Sequence, residues 1–264
     1  MTHRVMRLVA RPSGPLKDTD LEMCTEAKPV RGAGQLLLRN TYLSIDPTHR
    51  IWMSDKAQYM PAVELGDIMR SVSLAVVEES DLPDYPVGET YVCFGGVCEY
   101  FVGTPGADVL YKAGLKDLPI TADLSVASII IGLTAWHGIN KILMPEKDSI
   151  VVVSGAAGAV GSLVGQLAKL RGAKVVGIAG GPTKCAWLKN ELKFDCVIDY
   201  KNEDVEKAIA AYAPEGVECY YDNVGGRVSD AVLMNMKLNS KYALCGSISE
   251  YDDSWSGQVS RSRG

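Results

Sequence analysis

Between Val151 and Ser162 the chain reads Val-Val-Val-Ser-Gly-Ala-Ala-Gly-Ala-Val-Gly-Ser, three β-branched residues followed by a run of very small ones. Side chains that small let a backbone approach a ligand closely, and a turn from strand into helix aims unpaired amide hydrogens at an anion. In the turn from Gly155 to Gly161, Ala157 and Gly158 give room for a diphosphate. Ala159 and Val160 continue that turn of small and apolar residues, and Gly161 lets the helix that follows pack on its strand. Ala156 stands where the common fingerprint has its first glycine. A tight turn with no ligand would use the same residues, so the reading depends on what flanks it.

A site built for NAD places Asp or Glu at the end of the second strand, about 20 residues further on, to hold the ribose hydroxyls. Here the stretch Val175-Val-Gly-Ile-Ala-Gly-Gly-Pro-Thr-Lys184 ends instead in Gly180-Gly181, a proline suited to a first helical turn, and a lysine. A cation near a helix N-terminus opposes the helix dipole. An anion between them, such as the 2′-phosphate of NADP, removes that conflict. The plainer alternative is a solvated surface lysine.

Other chemistries find little support. The three histidines, His3, His49 and His137, are scattered, and Cys93 and Cys98 lack a second pair at finger spacing, so no metal ligand set is expected. No Gly-x-Ser-x-Gly elbow occurs, which argues against a serine nucleophile. His137 reads as a packed helix residue.

The elements that would position these residues fall into two parts. Up to about residue 125, short β-rich runs such as Gln35–Leu43 and Glu89–Phe94 lie between Pro/Gly clusters, suggesting a partly open barrel or sandwich. Beyond it, strands are expected at 149–154, 174–179, 196–199, 217–221 and 241–246. Helices are expected at 160–171, 183–192, 203–212 and 227–237, giving the strand-helix alternation of a doubly wound parallel sheet. Gly172 would close the first crossover helix. Domains are therefore expected at 1–125 and 126–251, with 252–264 a solvated tail.

Composition sets the outer limits. With 47% hydrophobic and 22% charged residues the chain is that of a folded globular protein. A net charge of -5 and no basic stripe argue against nucleic acid. Seven cysteines in no disulfide pattern suggest a reducing, cytoplasmic setting. The uncharged stretch 149–168 is long enough to suggest a membrane span, but its glycines favour a buried strand, turn and helix.

Several blocks, in order along the chain, resemble the zinc-independent medium-chain dehydrogenases/reductases of the prostaglandin reductase and 2-alkenal reductase type. These blocks are Gly34–Pro47, Gly132–Ala135, Ser154–Gly161, Tyr221–Gly226 and Cys245–Tyr251. The resemblance implies an α/β chain with an N-terminal GroES-like, β-rich substrate domain and a Rossmann-like domain that binds NADPH. It also implies residue roles. Gly158 to Gly161 meet the diphosphate, Lys184 and Tyr200 the 2′-phosphate end, and Asn223 the ribose region. Cys245, Gly246, Ser247, Ile248 and Ser249 line the nicotinamide side. The implied reaction reduces the carbon–carbon double bond of an α,β-unsaturated aldehyde or ketone, with the Tyr251 phenol donating to the carbonyl oxygen. A quinone reductase, or a variant that only binds nucleotide, are alternative readings.

The chain also departs from the family pattern. Thr48-His49 follows Asp46-Pro47 where Tyr-Met is usual, and Lys193 stands where a glycine usually precedes Phe194, implying mild strain at that turn. Family chains continue for about half a domain beyond position 251. An incomplete sheet with an unpaired border is therefore expected, which puts the family's homodimer and full activity in question.

Overall fold

A computed structural model of the chain describes residues 1–56 and 58–252. Their contacts divide into two compact units, Met1–Ser125 and Val126–Tyr251, with Asp252 joined to the first. Apart from Asp252, the expected tail lies outside the described residues.

The regular structure of the first unit is mainly β. An antiparallel pair, β1 (Thr2–Leu8) and β2 (Leu21–Ala27), is followed by β3 (Leu36–Leu43), the short helix α1 (Thr48–Trp52), β4 (Ser73–Glu79), β5 (Thr90–Cys93), β6 (Tyr100–Gly103) and β7 (Val109–Lys112). The last five strands form one antiparallel sheet of order β6-β3-β4-β5-β7. Alternation along these strands sends Leu36, Leu38, Ala75, Val77, Tyr91 and Cys93 to one buried face. Burial pushes the Cys93 and Cys98 thiols up to about 12, so both stay protonated and pack as small apolar groups.

The second unit opens with α2 (Gly132–His137), which continues as a π-helical turn over Gly138–Leu143. Then come β8 (Ile150–Ser154), α3 (Ala159–Leu170), β9 (Lys174–Ala179), α4 (Pro182–Asn190), β10 (Cys196–Asp199), α5 (Val205–Tyr212), β11 (Val217–Asp222), α6 (Gly226–Leu233) and β12 (Met236–Leu244). All five strands run parallel in the order β10-β9-β8-β11-β12. The chain therefore winds outward from β8 to β10 and returns to the far side of β8 for β11 and β12. Val151 and Val153 pack with α3, α4 and the π-turn, while Val152 faces the opposite way with residues of α5 and α6. A strand buried on both faces needs an unbroken apolar run, which accounts for the uncharged stretch at 149–168. Among the described residues no helix is long and apolar enough to cross a membrane.

Glycines set how closely α3 sits on the sheet. A Cβ at Gly161 would collide with the Gly155 carbonyl, and one at Gly165 with the Phe194 ring. The first crossover helix stops where glycine allows it, with Gly172 at φ 81° two residues past Leu170.

Four of the five strands fall within a residue or so of their expected places, but the last does not. β12 starts at Met236, because Met236 pairs with Val217 and the Val217 amide donates to the Asn235 carbonyl at 2.9 Å. That pairing ends α6 at Leu233 instead of 237. Register then shifts so that Cys219 pairs with Lys241, and the extra residues bulge around Asn239 at φ 62°. Residues 245 and 246 leave the strand because their amides turn to the Asp222 carbonyl, at 2.8 and 3.1 Å.

Candidate functional site

In a doubly wound sheet, the carboxyl ends of two neighbouring strands whose crossovers leave in opposite directions frame an open crevice. Here those strands are β8 and β11. One lip is the Gly155–Gly158 turn, and the other is the Asn223–Gly226 loop. They lie so close that a Cβ on Gly155 would be 3.4 Å from the side chains of both Asn223 and Val224. Gly155 is at φ 58°, a conformation that larger residues adopt at a cost.

The amide end of α3 opens into this crevice. Gly158, exposed, is its N-cap residue, no side chain caps the helix, and no acidic residue lies in its first turn. Ala159 and Val160 supply that turn, with Ala157 half-buried just before it and Gly161 buried beneath. The contrast with α5 is instructive. There Asp204 caps the helix by accepting from the Lys207 amide, and Glu206 adds negative charge. A helix so compensated has little left to offer an anion, whereas α3 keeps its positive end.

A buried carboxylate holds both lips. Asp222 Oδ1 accepts from Ser154 Oγ at 2.8 Å and from the Val224 and Gly225 amides at 2.9 and 3.0 Å. Its Oδ2 accepts from the Tyr242 hydroxyl at 2.9 Å. Asn223 completes the clamp, its backbone amide donating to Ser154 Oγ at 2.9 Å and its side-chain amide to the Ser154 carbonyl at 2.7 Å. Burial pushes the Asp222 carboxyl up, but the hydrogen bonds it accepts, led by those from the Gly225 and Val224 amides, together outweigh burial and hold it below the usual carboxylate range. Burial, with Asp222 alongside, raises the Tyr242 phenol to about 12, so it remains a donor.

The second anion position is at the β9 end. Gly181 at φ 92° leads into α4, Pro182 takes the first helical position, and Lys184 is exposed in the first turn. No side chain caps this helix and no acidic residue lies in its first turn. Tyr200, next after β10, lies flat enough on the chain that a Cβ on Gly180 would be 2.8–3.0 Å from its ring edge and hydroxyl. Lys184 and Tyr200, far apart in sequence, thus flank one turn.

The segment after β12 runs along the second lip. Beyond the two amides bound to the Asp222 carbonyl, Ile248 and Ser249 donate to the Asn223 and Val224 carbonyls at 3.5 and 3.1 Å. Cys245, Ile248 and Ser249 are exposed and Gly246 and Ser247 half-buried. Tyr251 folds back over this segment, its hydroxyl oxygen accepting from the Ser247 amide at 3.3 Å.

The fold thus gathers the Gly155–Gly161 turn, Asn223 and residues 245–251 at the β8/β11 ends, with Lys184 and Tyr200 at the β9/β10 ends. Sequence reasoning missed Asp222, Ser154, Tyr242 and Asp199. The available signal was an acid closing each of two apolar strands, where the following loop needs its amides paired. Among the described residues no three His, Cys, Asp or Glu side chains gather as a metal set.

Comparisons with known proteins place the chain among oxidoreductases. Residues 4–110 match a family model described as the N-terminal domain of oxidoreductase, and residues 159–259 one described as zinc-binding dehydrogenase. The NADPH-dependent curcumin reductase of Escherichia coli (strain K12) is 36% identical over 246 residues, covering 93% of this chain and 70% of the relative. The NADP(+)-dependent 2-alkenal reductase of Nicotiana tabacum is 37% identical over 245 residues, 91% of this chain and 71% of the relative. The crystal structure of CurA from Vibrio vulnificus in complex with NADPH superposes with a TM-score of 0.89 at 34% identity, covering 95% of this chain and 74% of that one.

Proposed function

The chain belongs to the medium-chain dehydrogenase/reductase family, together with curcumin and 2-alkenal reductases, and on that premise we propose that it reduces the carbon–carbon double bond of α,β-unsaturated aldehydes or ketones with NADPH. The observation that carries the reading is the uncapped amide end of α3 facing the Asn223–Gly226 loop across the β8/β11 crevice.

The residues present fit the dinucleotide. The small Gly155–Gly161 turn and the first amides of α3 would hold its diphosphate, Lys184 and Tyr200 the 2′-phosphate end, and Asn223 the ribose region. Cys245, Gly246, Ser247, Ile248 and Ser249 would line the nicotinamide side. When bound, the cofactor supplies a hydride for the β-carbon of the substrate. Negative charge then develops on the carbonyl oxygen, and the Tyr251 phenol donates a hydrogen bond to it. The Ser247 amide, by donating to the phenol oxygen, withdraws charge from it and strengthens Tyr251 as a donor. A proton from water at the α-carbon completes the reduction. Tyr251 acts where charge appears, so its effect falls on the chemical step more than on binding.

The test is NADPH consumption by purified, folded protein with a panel of enals, enones and quinones. Turnover is expected with an enal or enone. Tyr251→Phe should then lower kcat by about 10²–10³ while leaving the NADPH Kd unchanged. No turnover above background with any enal or enone would defeat the assignment, and turnover with quinones alone would replace it with a quinone reductase. NADPH binding without turnover would identify a nucleotide-binding protein that does not catalyse this reaction.

A further inference from the structure

In an NAD-binding fold, an acid at the end of the second strand commonly accepts the ribose hydroxyls. β9 ends without one, in Gly180-Gly181. An acid nevertheless stands beside that end, supplied by the next strand: Asp199 closes β10 and pairs in parallel register with Ala179, the last residue of β9. Asp199 is largely buried, and its carboxylate is hydrogen-bonded to the protein on both oxygens. Oδ1 accepts from the Gly181 amide at 2.8 Å and the Lys201 amide at 3.1 Å, and Oδ2 accepts from the Asn202 side-chain amide at 2.8 Å. The backbone holds the same corner, with the Asp199 amide donating to Glu203 Oε1 at 2.7 Å and the Tyr200 amide to the Ala179 carbonyl at 3.1 Å.

These bonds decide what the turn can present. Gly181 sits at φ 92° immediately before α4, so fixing its amide fixes the direction in which the helix starts, and with it Lys184. The same carboxylate orders residues 201 and 202, which anchors Tyr200 against Gly180. Three protein donors occupy most of the roughly four acceptor sites of a carboxylate, leaving it poorly placed to hold ribose hydroxyls. The Gly181 amide, then the Asn202 side chain, hold the carboxyl below the usual range, so the group is an anion that is already hydrogen-bonded.

We infer that Asp199 is a positioning residue for cofactor choice: by anchoring the Gly181 amide across the β9/β10 edge it sets Lys184 and Tyr200 for a 2′-phosphate. This rests on the NADPH reading above. A displaced turn would cost the contact to the extra phosphate, while the diphosphate lip on β8 would still serve both dinucleotides. Acceptor position, more than charge, is therefore what matters at residue 199.

The experiment titrates NADPH and NADH separately into wild type, Asp199→Ala, Asp199→Asn, Asp199→Glu and Lys184→Ala, following nucleotide fluorescence, with circular dichroism to confirm folding. In Asp199→Ala the NADPH Kd should rise about tenfold, the size of one lost charge-assisted contact, while the NADH Kd changes by less than about threefold. Asp199→Asn keeps an oxygen for the Gly181 amide and should retain most of the preference. Asp199→Glu keeps the charge but moves the oxygens, and should lose it. If Asp199→Ala does not fold, the Asn and Glu pair decides. Preference kept in Asp199→Glu and lost in Asp199→Asn, or equal loss for both dinucleotides in Asp199→Ala, would overturn the inference. If Lys184→Ala in that case still weakens NADPH and not NADH, the NADPH reading stands. Wild-type protein that binds neither dinucleotide would remove both.

Discussion

At the scale of single residues, His49 shows how a departure from the family pattern becomes a physical property. Its ring is buried against Trp52 with centroids 5.1 Å apart, Nδ1 lies 2.8 Å from the Asp46 carbonyl, and Nε2 is buried without a hydrogen-bond partner. Burial pushes the imidazole below its ordinary value, against the smaller opposing pull of the Asp46 backbone and charge. The unfolded chain therefore takes up a proton near pH 6.5 that the folded chain refuses until lower pH. Stability from the neutral ring is complete above that pH and is lost as pH falls towards the folded value. The urea midpoint should accordingly drop between about pH 7.5 and about pH 5.5, above the usual carboxylate range, and His49→Met should flatten that drop. The same slope in both proteins would refute it. The close packing at Gly161 was legible in sequence, because a helix laid so tightly on its strand admits no side chain there. Asp222 and Asp199 were not, because an acid ending a strand looks like any surface acid until the amides it holds are seen.

At the scale of elements, the turn between α4 and β10 stores strain for a packing purpose. The Phe194 amide donates to the Leu188 carbonyl at 3.1 Å, closing the helix end, and this places Lys193 at φ 56° in the left-handed region. The closure drives Phe194 between α3 and the sheet, where Gly165 and Gly177 leave room for its ring. Lys193→Gly should relieve the strain at some cost in unfolded-chain entropy, a net gain of about 0.5–1 kcal/mol read as a higher urea midpoint. A lower midpoint would contradict this account of the turn. The strain was legible beforehand, since the position calls for glycine. Most strands and helices were legible too, because burial on both faces gives unbroken valine and isoleucine runs and Gly172 marks a stop. β12 was misplaced because Met236 and Lys237 continue the pattern of α6, and only pairing with Val217 pulls them into the sheet.

At the scale of the whole molecule, the chain spans about 70% of the length of the relatives it matches, and its second unit holds a five-stranded sheet with β12 at one border. Leu238 and Leu244 on that strand are 92% and 55% exposed. The lips of the crevice belong to β8 and β11 and are tied together by Asp222 and Asn223, while β12 supports them through the Tyr242 hydroxyl on Asp222. The proposed dinucleotide site therefore lies within the described residues of this chain. It is tested most directly by titrating NADPH and NADH into wild type and Lys184→Ala. The account predicts that wild type prefers NADPH and that the substitution weakens NADPH by about tenfold or more while leaving NADH nearly unchanged. Equal weakening of both, or no binding of NADPH by folded wild-type protein, would contradict it.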